Sequence, residues 1–286
     1  MKLYALLVLG MLVGGGICGA QEVPYFVTYS HHMEEPGSLE IGSKVATGRP
    51  QADGNRFFGN STEFEYGTTA WWTTELYVDV SGTKDEGTVL GGFRIENRIR
   101  PLMQEHWINP VLYFEFEDIN GADKSLLDVV GHDGAADLAD DVHVTRGETK
   151  REVELKLILS SDVKGWNLSD NLIFEKNLNN SPWEFGYALG ASRPLRLRAS
   201  ANRCVFCPQN FTAGAEMYGG LGDRHTPGLH DTSHYAGPVA AWQVPNGPRL
   251  SFEAGFGLNN YSLPYILRVG VAYEIGQIFR RKGDGR

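Results

Sequence analysis

The sequence predicts an all-β fold: a single transmembrane antiparallel β-barrel of about twelve strands, with short periplasmic turns and long outer loops. Three observations lead there. First, apolar and charged residues alternate in Glu63-Phe64-Glu65-Tyr66, in Phe93-Arg94-Ile95-Glu96-Asn97-Arg98-Ile99, in Leu112-Tyr113-Phe114-Glu115-Phe116-Glu117 and in Glu152-Val153-Glu154-Leu155-Lys156-Leu157. Successive side chains of a strand point to opposite faces, so each stretch has one greasy face and one ionised face. Second, the pattern recurs through most of the chain, in segments about as long as the roughly 9–11 residues of a membrane-crossing strand. A soluble sandwich alternates too, but its greasy faces must meet in a shared core. Third, the last such segment, Arg268-Val269-Gly270-Val271-Ala272-Tyr273-Glu274-Ile275, again sets Val269, Val271, Tyr273 and Ile275 on one face and Arg268, Gly270, Ala272 and Glu274 on the other.

The start of the chain reads as an export signal, residues 1–20. Lys2 gives the positive start, Leu3 to Val13 the apolar stretch, and Cys18-Gly19-Ala20 a small-x-small cleavage site before Gln21. Beyond it no run of about 18 apolar residues occurs, so no membrane helix is expected. The formal net charge is −9, and loss of Lys2 with the signal adds to the acid excess. That balance argues against nucleic acid as a partner. Residues 21–37 are expected to be a periplasmic lead-in, 38–276 the barrel, and 277–286 a basic tail.

The strands are expected near 38–46, 60–67, 71–80, 88–99, 107–117, 150–160, 165–177, 182–192, 209–219, 232–242, 248–257 and 265–275. With a periplasmic N-terminus, the long stretches Ala46–Gly59, Asp118–Lys150 and Gly220–Asp231 fall on the outer side. The tight Gly67–Ala70, Ser161–Lys164 and Val244–Gly247 fall on the periplasmic side, the asymmetry usual for such barrels. Asp118–Lys150 is strongly acidic; a solvated loop is the favoured reading, a lid or divalent-cation site the other.

The alternation assigns a lumen-lining set: Glu63, Glu65, Glu75, Tyr77, Asp79, Arg94, Glu96, Arg98, Tyr113, Glu115, Glu117, Glu154, Lys156, Asn171, Glu175, Glu184, Glu216, Glu253, Arg268 and Glu274. Catalytic motifs are missing: there is no Gly-x-Ser-x-Gly elbow, no P-loop and no His-Glu-x-x-His helix. Ser169 and Ser233 are the candidate serines for a lipid hydrolase. Ser233 and His234 are sequence neighbours, which point apart in a strand. No cofactor is expected. Cys204 and Cys207 lack the setting for redox, haem or zinc chemistry and are expected to form a disulfide that pins a periplasmic turn. His31-His32-Met33 has donors that suit a soft metal, but adjacent histidines in an extended segment point apart, so no metal site is expected there.

The final segment is similar to the C-terminal assembly signal of bacterial outer-membrane barrels, carried by Arg268, Gly270, Tyr273 and Ile275. That implies the barrel-insertion machinery as a partner, with outer-membrane lipid and lipopolysaccharide around the folded protein. Ser30-His31-His32-Met33-Glu34-Glu35-Pro36-Gly37, Thr62–Gly67, Trp71–Tyr77 and Tyr218–Asp223 together resemble a group of bacterial outer-membrane barrels related to the porin-like proteins of phenol-degradation pathways. The resemblance implies a barrel in the outer membrane and leaves the cargo open. The expected function is a passive channel for small solutes with a preference for cations. The alternative is a non-conducting structural barrel with a salt-bridged lumen; an outer-membrane lipid hydrolase is less favoured.

If the assembly signal ends at Ile275, replacing Tyr273 with Ala leaves unassembled protein for periplasmic proteases, while deleting Gly276–Arg286 does little. Heat-modifiable mobility on gels reads both; a severe defect from the deletion alone places the signal further along.

Overall fold

In a computed structural model, which describes residues 23–49, 56–132, 138, 140–179, 181–198, 204–276 and 278, the chain closes into one antiparallel barrel. The strands are β1 (Leu39–Gly48), β2 (Phe57–Thr69), β3 (Trp72–Thr83), β4 (Gly87–Ile99), β5 (Asn109–Asn120), β6 (Thr149–Val163), β7 (Trp166–Asn177), β8 (Trp183–Pro194), β9 (Phe211–Asp223), β10 (His234–Gln243), β11 (Arg249–Gly257) and β12 (Tyr265–Ile275). Each pairs with its sequence neighbours, and β1 pairs with β12 from Leu39↔Ile275 to Gly48↔Ile266. The ring therefore has no free edge, and every strand finds its backbone partners within the chain. The expected signal at 1–20 and most of the tail lie outside the described residues.

The period-two pattern sets the faces. Outward residues are apolar: Leu76, Phe93, Ile95, Phe114, Leu155, Leu172, Phe174, Val269 and Val271 are all exposed on the barrel's outside. A belt of this kind around a closed barrel is a lipid-facing surface. Among the described residues no helix is long and apolar enough to cross a membrane.

The connections differ at the two ends. At the end that holds the start of β1 and the finish of β12, β6 and β7 join through Lys164 and Gly165, both with left-handed φ (52° and 81°). Two positive φ values in a two-residue loop match the right-handed twist of the flanking strands. The same end also carries a long connection, 195–210, where Cys204 and Cys207 are disulfide-bonded with Cα atoms 5.3 Å apart. At the opposite end the β5–β6 connection is the long one and includes the helical turn α1 (Val142–Thr145).

Two segments do not lie where the sequence places them. The lead-in does not pack under the barrel: Tyr25, Phe26, Val27, Thr28, Ser30 and His31 are buried inside it. The first part of the β5–β6 connection is not a solvated loop: Lys124, Ser125, Val129 and Val130 are buried in the bore, whereas residues 143–148 are mostly exposed. Both segments press on glycines of the wall. A Cβ on Gly59 would sit 1.9 Å from the Lys124 carbonyl oxygen, and one on Gly190 would sit 2.6 Å from the Tyr25 ring. The missing side chains make the room.

Phe114 sits midway along β5 on the outer face. Phe114→Arg is expected to cost about 2–4 kcal/mol, the range for a cation at the bilayer midplane. Urea unfolding in lipid measures it; a change below about 1 kcal/mol would show that this face does not meet hydrocarbon.

Candidate functional site: the charged interior

The inward face of the barrel wall is ionic, and its charges are arranged in linked clusters. Arg94 on β4 is the hub of one. Its Nε lies 2.8 Å from Asp79 Oδ2 on β3, Nη1 lies 3.0 Å from Glu117 Oε2 on β5, and Nη2 lies 2.8 Å from Asp123 Oδ2 on the in-folded connection. Glu115 stands further off, at 3.8 Å. Arg98, two inward positions nearer the termini, binds Glu65 and Glu75 and reaches Glu96 at 3.1 Å. On the far side of the bore Arg268 binds Glu253 and the Tyr218 hydroxyl. Lys156 Nζ lies 2.7 Å from Glu154 and stands over the rings of Tyr113 and Tyr29.

Such spacing follows from the register. Tyr77↔Arg94 and Arg94↔Glu117 are directly opposed across β3–β4 and β4–β5, as are Glu253↔Arg268 across β11–β12. Inward neighbours on adjacent strands are within reach of long side chains, so opposite charges pair. In a low-dielectric wall each buried charge needs such a partner or hydrogen bonds.

The lead-in is held by this same wall. Glu216 on β9 accepts the backbone N–H groups of Phe26 at 3.0 Å, Val27 at 2.8 Å and Thr28. Asn171 on β7 treats Tyr29 as a strand would: its Oδ1 accepts from Tyr29 N at 2.6 Å and its Nδ2 donates to Tyr29 O at 2.9 Å. The Tyr29 hydroxyl donates to Glu96 at 3.0 Å, and the ring packs edge-on against Tyr113. Burial, and then the carboxylates of Glu96, Glu75 and Glu115, push the Tyr29 phenol well above its ordinary range, so it remains a donor.

From the other end, the Lys124 amide donates to Ser81 Oγ at 2.8 Å, and Leu126 offers its carbonyl to Arg268 Nη2 at 2.7 Å. An apolar cluster joins the two segments within the bore. Val27 of the lead-in and Val129, Val130 and Leu138 of the connection share it with Ile173, Tyr218 and Tyr235 of the wall. Cavities lie beside both segments among the described residues. One, about 100 Å³, lies against the lead-in beside Glu63, Glu65 and Glu75. The other, about 350 Å³, lies beside Arg94, Glu117, Asp128, Glu175 and Glu184.

Within the expected set, Glu63, Glu65, Glu75, Tyr77, Asp79, Arg94, Glu96, Arg98, Tyr113, Glu115, Glu117, Glu154, Lys156, Asn171, Glu175, Glu216, Glu253 and Arg268 are buried inside the barrel. Glu184 and Glu274 are half-buried, at the rims of the second and first cavities. Sequence reasoning passed over Lys44, which binds Glu63 at 2.8 Å, and Arg249, which binds Glu40 at 3.0 Å. Glu40, Gly42 and Lys44 alternate with Ile41, Ser43 and Val45, so the same period would find Glu40 and Lys44. Of the candidate serines, Ser169 Oγ donates to Asn167 Oδ1 at 2.9 Å, and Ser233 Oγ donates to the Tyr261 carbonyl at 2.9 Å.

Arg94 makes the sharpest test of the network. Arg94→Met leaves Asp79, Glu117 and Asp123 buried without their shared cation, at an expected cost of about 3–5 kcal/mol. The exposed pair Arg151–Asp118, 3.3 Å apart, serves as control: Arg151→Ala should cost about 1 kcal/mol or less. Equal urea midpoints for the two variants would contradict the network.

No protein-family model matches the chain, and no curated protein is detectably similar to it. Among solved structures it is similar to the COG4313 outer membrane channel from Pseudomonas putida F1, with 11% identity and a TM-score of 0.55, covering 89% of this chain and 100% of that one. Weaker likenesses are to the KdgM porin (8% identity, TM-score 0.44, 82% and 98% covered) and to the translocator domain of the autotransporter NalP from Neisseria meningitidis (13%, 0.42, 82% and 87%). The architecture is thus that of an outer-membrane β-barrel.

Proposed function

We propose that the protein is a narrow passive channel of the outer membrane that favours cations, its bore restricted by the lead-in from the periplasmic side and by the β5–β6 connection from the outside. The observation that carries this reading is the imbalance of the interior. Arg94 and Arg98 are each shared among carboxylates that outnumber them, Lys156 and Arg268 pair with one carboxylate each, and in the lining of both cavities Glu and Asp outnumber Lys and Arg. An excess of inward carboxylates makes the bore negative and concentrates cations there. Support also comes from the outer membrane channel whose fold is similar over 89% of this chain. Small hydrated solutes are the fitting cargo, because the lining is polar and the free volume small.

A second reading, a structural barrel with a filled and salt-bridged lumen, draws on the buried lead-in itself. Single-channel recording in planar bilayers separates the two. The channel reading expects a small, cation-preferring conductance whose selectivity weakens at high salt as the field is screened. It also expects a larger conductance from Glu216→Ala, which removes the acceptor of three lead-in amides. An anion preference contradicts the reading. Silence from both wild type and Glu216→Ala moves the protein to the structural class.

A further inference from the structure

The lead-in bends at His31, and the bend undoes the expectation that its paired histidines diverge. The two rings lie 4.6 Å apart, centroid to centroid, and both turn toward the β6 side of the wall. His31 Nε2 lies 3.9 Å from Asp162 Oδ2 and 3.1 Å from Glu105 Oε2; His32 Nε2 lies 2.9 Å from Asp162 Oδ2. One donor atom from each of His31, His32 and Asp162 falls within 4.8 Å of the others. We propose that His31, His32 and Asp162 form a zinc-type divalent metal site that fastens the lead-in to the barrel wall, with the exposed Glu105 side chain beside His31 able to swing in as a fourth ligand.

Three features carry the proposal. The first is spacing. Zinc bonds to nitrogen and oxygen of about 2.0–2.2 Å in a tetrahedron put neighbouring donors roughly 3.3–3.5 Å apart. The three donor separations above straddle that value. The second is an unmet group. The His31 side chain is fully buried, and its Nε2 makes no hydrogen bond although it faces two carboxylates. A divalent cation between that nitrogen and the carboxylate oxygens would give the buried Nε2 the partner it lacks. Two neutral imidazoles and two carboxylates would balance a divalent ion.

The third feature is a built outer layer, which metal-bound histidines and carboxylates ordinarily have. His31 Nδ1 lies 2.8 Å from Ser160 Oγ. Ser160 Oγ in turn accepts from Ser169 Oγ at 3.0 Å and from Asn167 Nδ2 at 3.3 Å, so the group that holds the His31 ring is itself fixed to the wall. Asn167 Nδ2 also donates to Asp162 Oδ1 at 2.7 Å, which leaves Oδ2 for the metal. Arg100 likewise holds Glu105 Oε1 at 2.6 Å and leaves Oε2 turned toward His31. The Asp162 and Glu105 side chains are 44% and 62% exposed, so an ion can enter from the end that carries the termini.

The ligands come from separate parts of the chain: the lead-in, the end of β6 and the β4–β5 connection. A bound ion would therefore stabilise the lead-in in its seat by mass action. Imidazole with carboxylate suits zinc, and copper or nickel less selectively.

The test is calorimetric titration of Zn²⁺ into the untagged, chelator-stripped full chain in detergent. The expected result is one equivalent bound per chain. His32→Ala and Asp162→Asn, both at partly exposed positions, should each weaken binding about 100-fold or abolish it, and Asn167→Ala should weaken it about 10–100-fold. Co²⁺ in place of zinc should give the visible absorption of a four-coordinate ion in the wild type and lose it in His32→Ala. Absence of binding overturns the proposal. So does undiminished binding in His32→Ala and Asp162→Asn, which would move the ion to the acidic group of Glu117, Asp128 and Glu175. Glu105→Gln, an exposed change, keeps the test open if His31→Ala does not fold. Binding in detergent is independent of conduction, so its failure and that of the channel reading are distinct results.

Discussion

The structure follows from one constraint: inside a bilayer a strand's N–H and C=O groups must all be satisfied by protein. Pairing β1 with β12 removes the last edge and meets that demand for the whole ring. Once the ring closes, the two-residue period of the strand sends every second side chain into a bore from which bulk water is largely excluded. The charges on that face cannot simply be solvated, as they would be on a soluble protein. They must find partners across the strands, and the register supplies them: Arg94 opposite Glu117, Arg268 opposite Glu253. Closure thus determines where the ion pairs can be, and the ion pairs in turn determine what else can enter.

Much of this is legible in the sequence, because the signal of a membrane barrel is local. The outer face of β4, with Phe93, Ile95 and Ile99, and its inner face, with Arg94, Glu96 and Arg98, are written in consecutive residues. No long-range information is needed to locate the strand or to say which side chains share a face. The lead-in is the opposite case. Tyr25-Phe26-Val27-Thr28-Tyr29 has no alternation and pairs with no strand; its place is set by Glu216 and Asn171, far along the chain. The same holds for Lys124 to Val130, whose acidic context reads as a solvated loop. A contact made by a backbone amide leaves no trace in the identity of the residue that makes it. The trace lies on the wall instead, in inward glycines such as Gly59 and Gly190 where a side chain would be expected.

The histidine pair shows a related limit. Side-chain divergence in an extended segment is a sound rule for a strand, but it holds only while the backbone stays extended. The bend at His31 is imposed by what the lead-in meets in the bore, with His31 against Ser160 and His32 against Asp162. Residue type advertised metal-binding chemistry; the geometry that could use it comes from tertiary contact alone.

The lead-in and the β5–β6 connection share a chemical role that explains why a charged bore accepts them. The wall has more acceptors than cations. Backbone N–H groups and phenols make up part of the difference without adding charge: three amides serve Glu216, and the hydroxyls of Tyr29 and Tyr77 serve Glu96. Where a carboxylate is matched by a neutral donor the local field stays negative, since hydrogen bonding does not neutralise it. Where one is matched one to one, as Glu253 is by Arg268, the field is largely cancelled. The interior therefore divides into ion-paired clusters, which fix the wall, and acids such as Glu216 that are held by neutral donors. If the lead-in leaves its seat, Glu216 loses the three amides that it now holds, and the wall loses the segment that fills its centre.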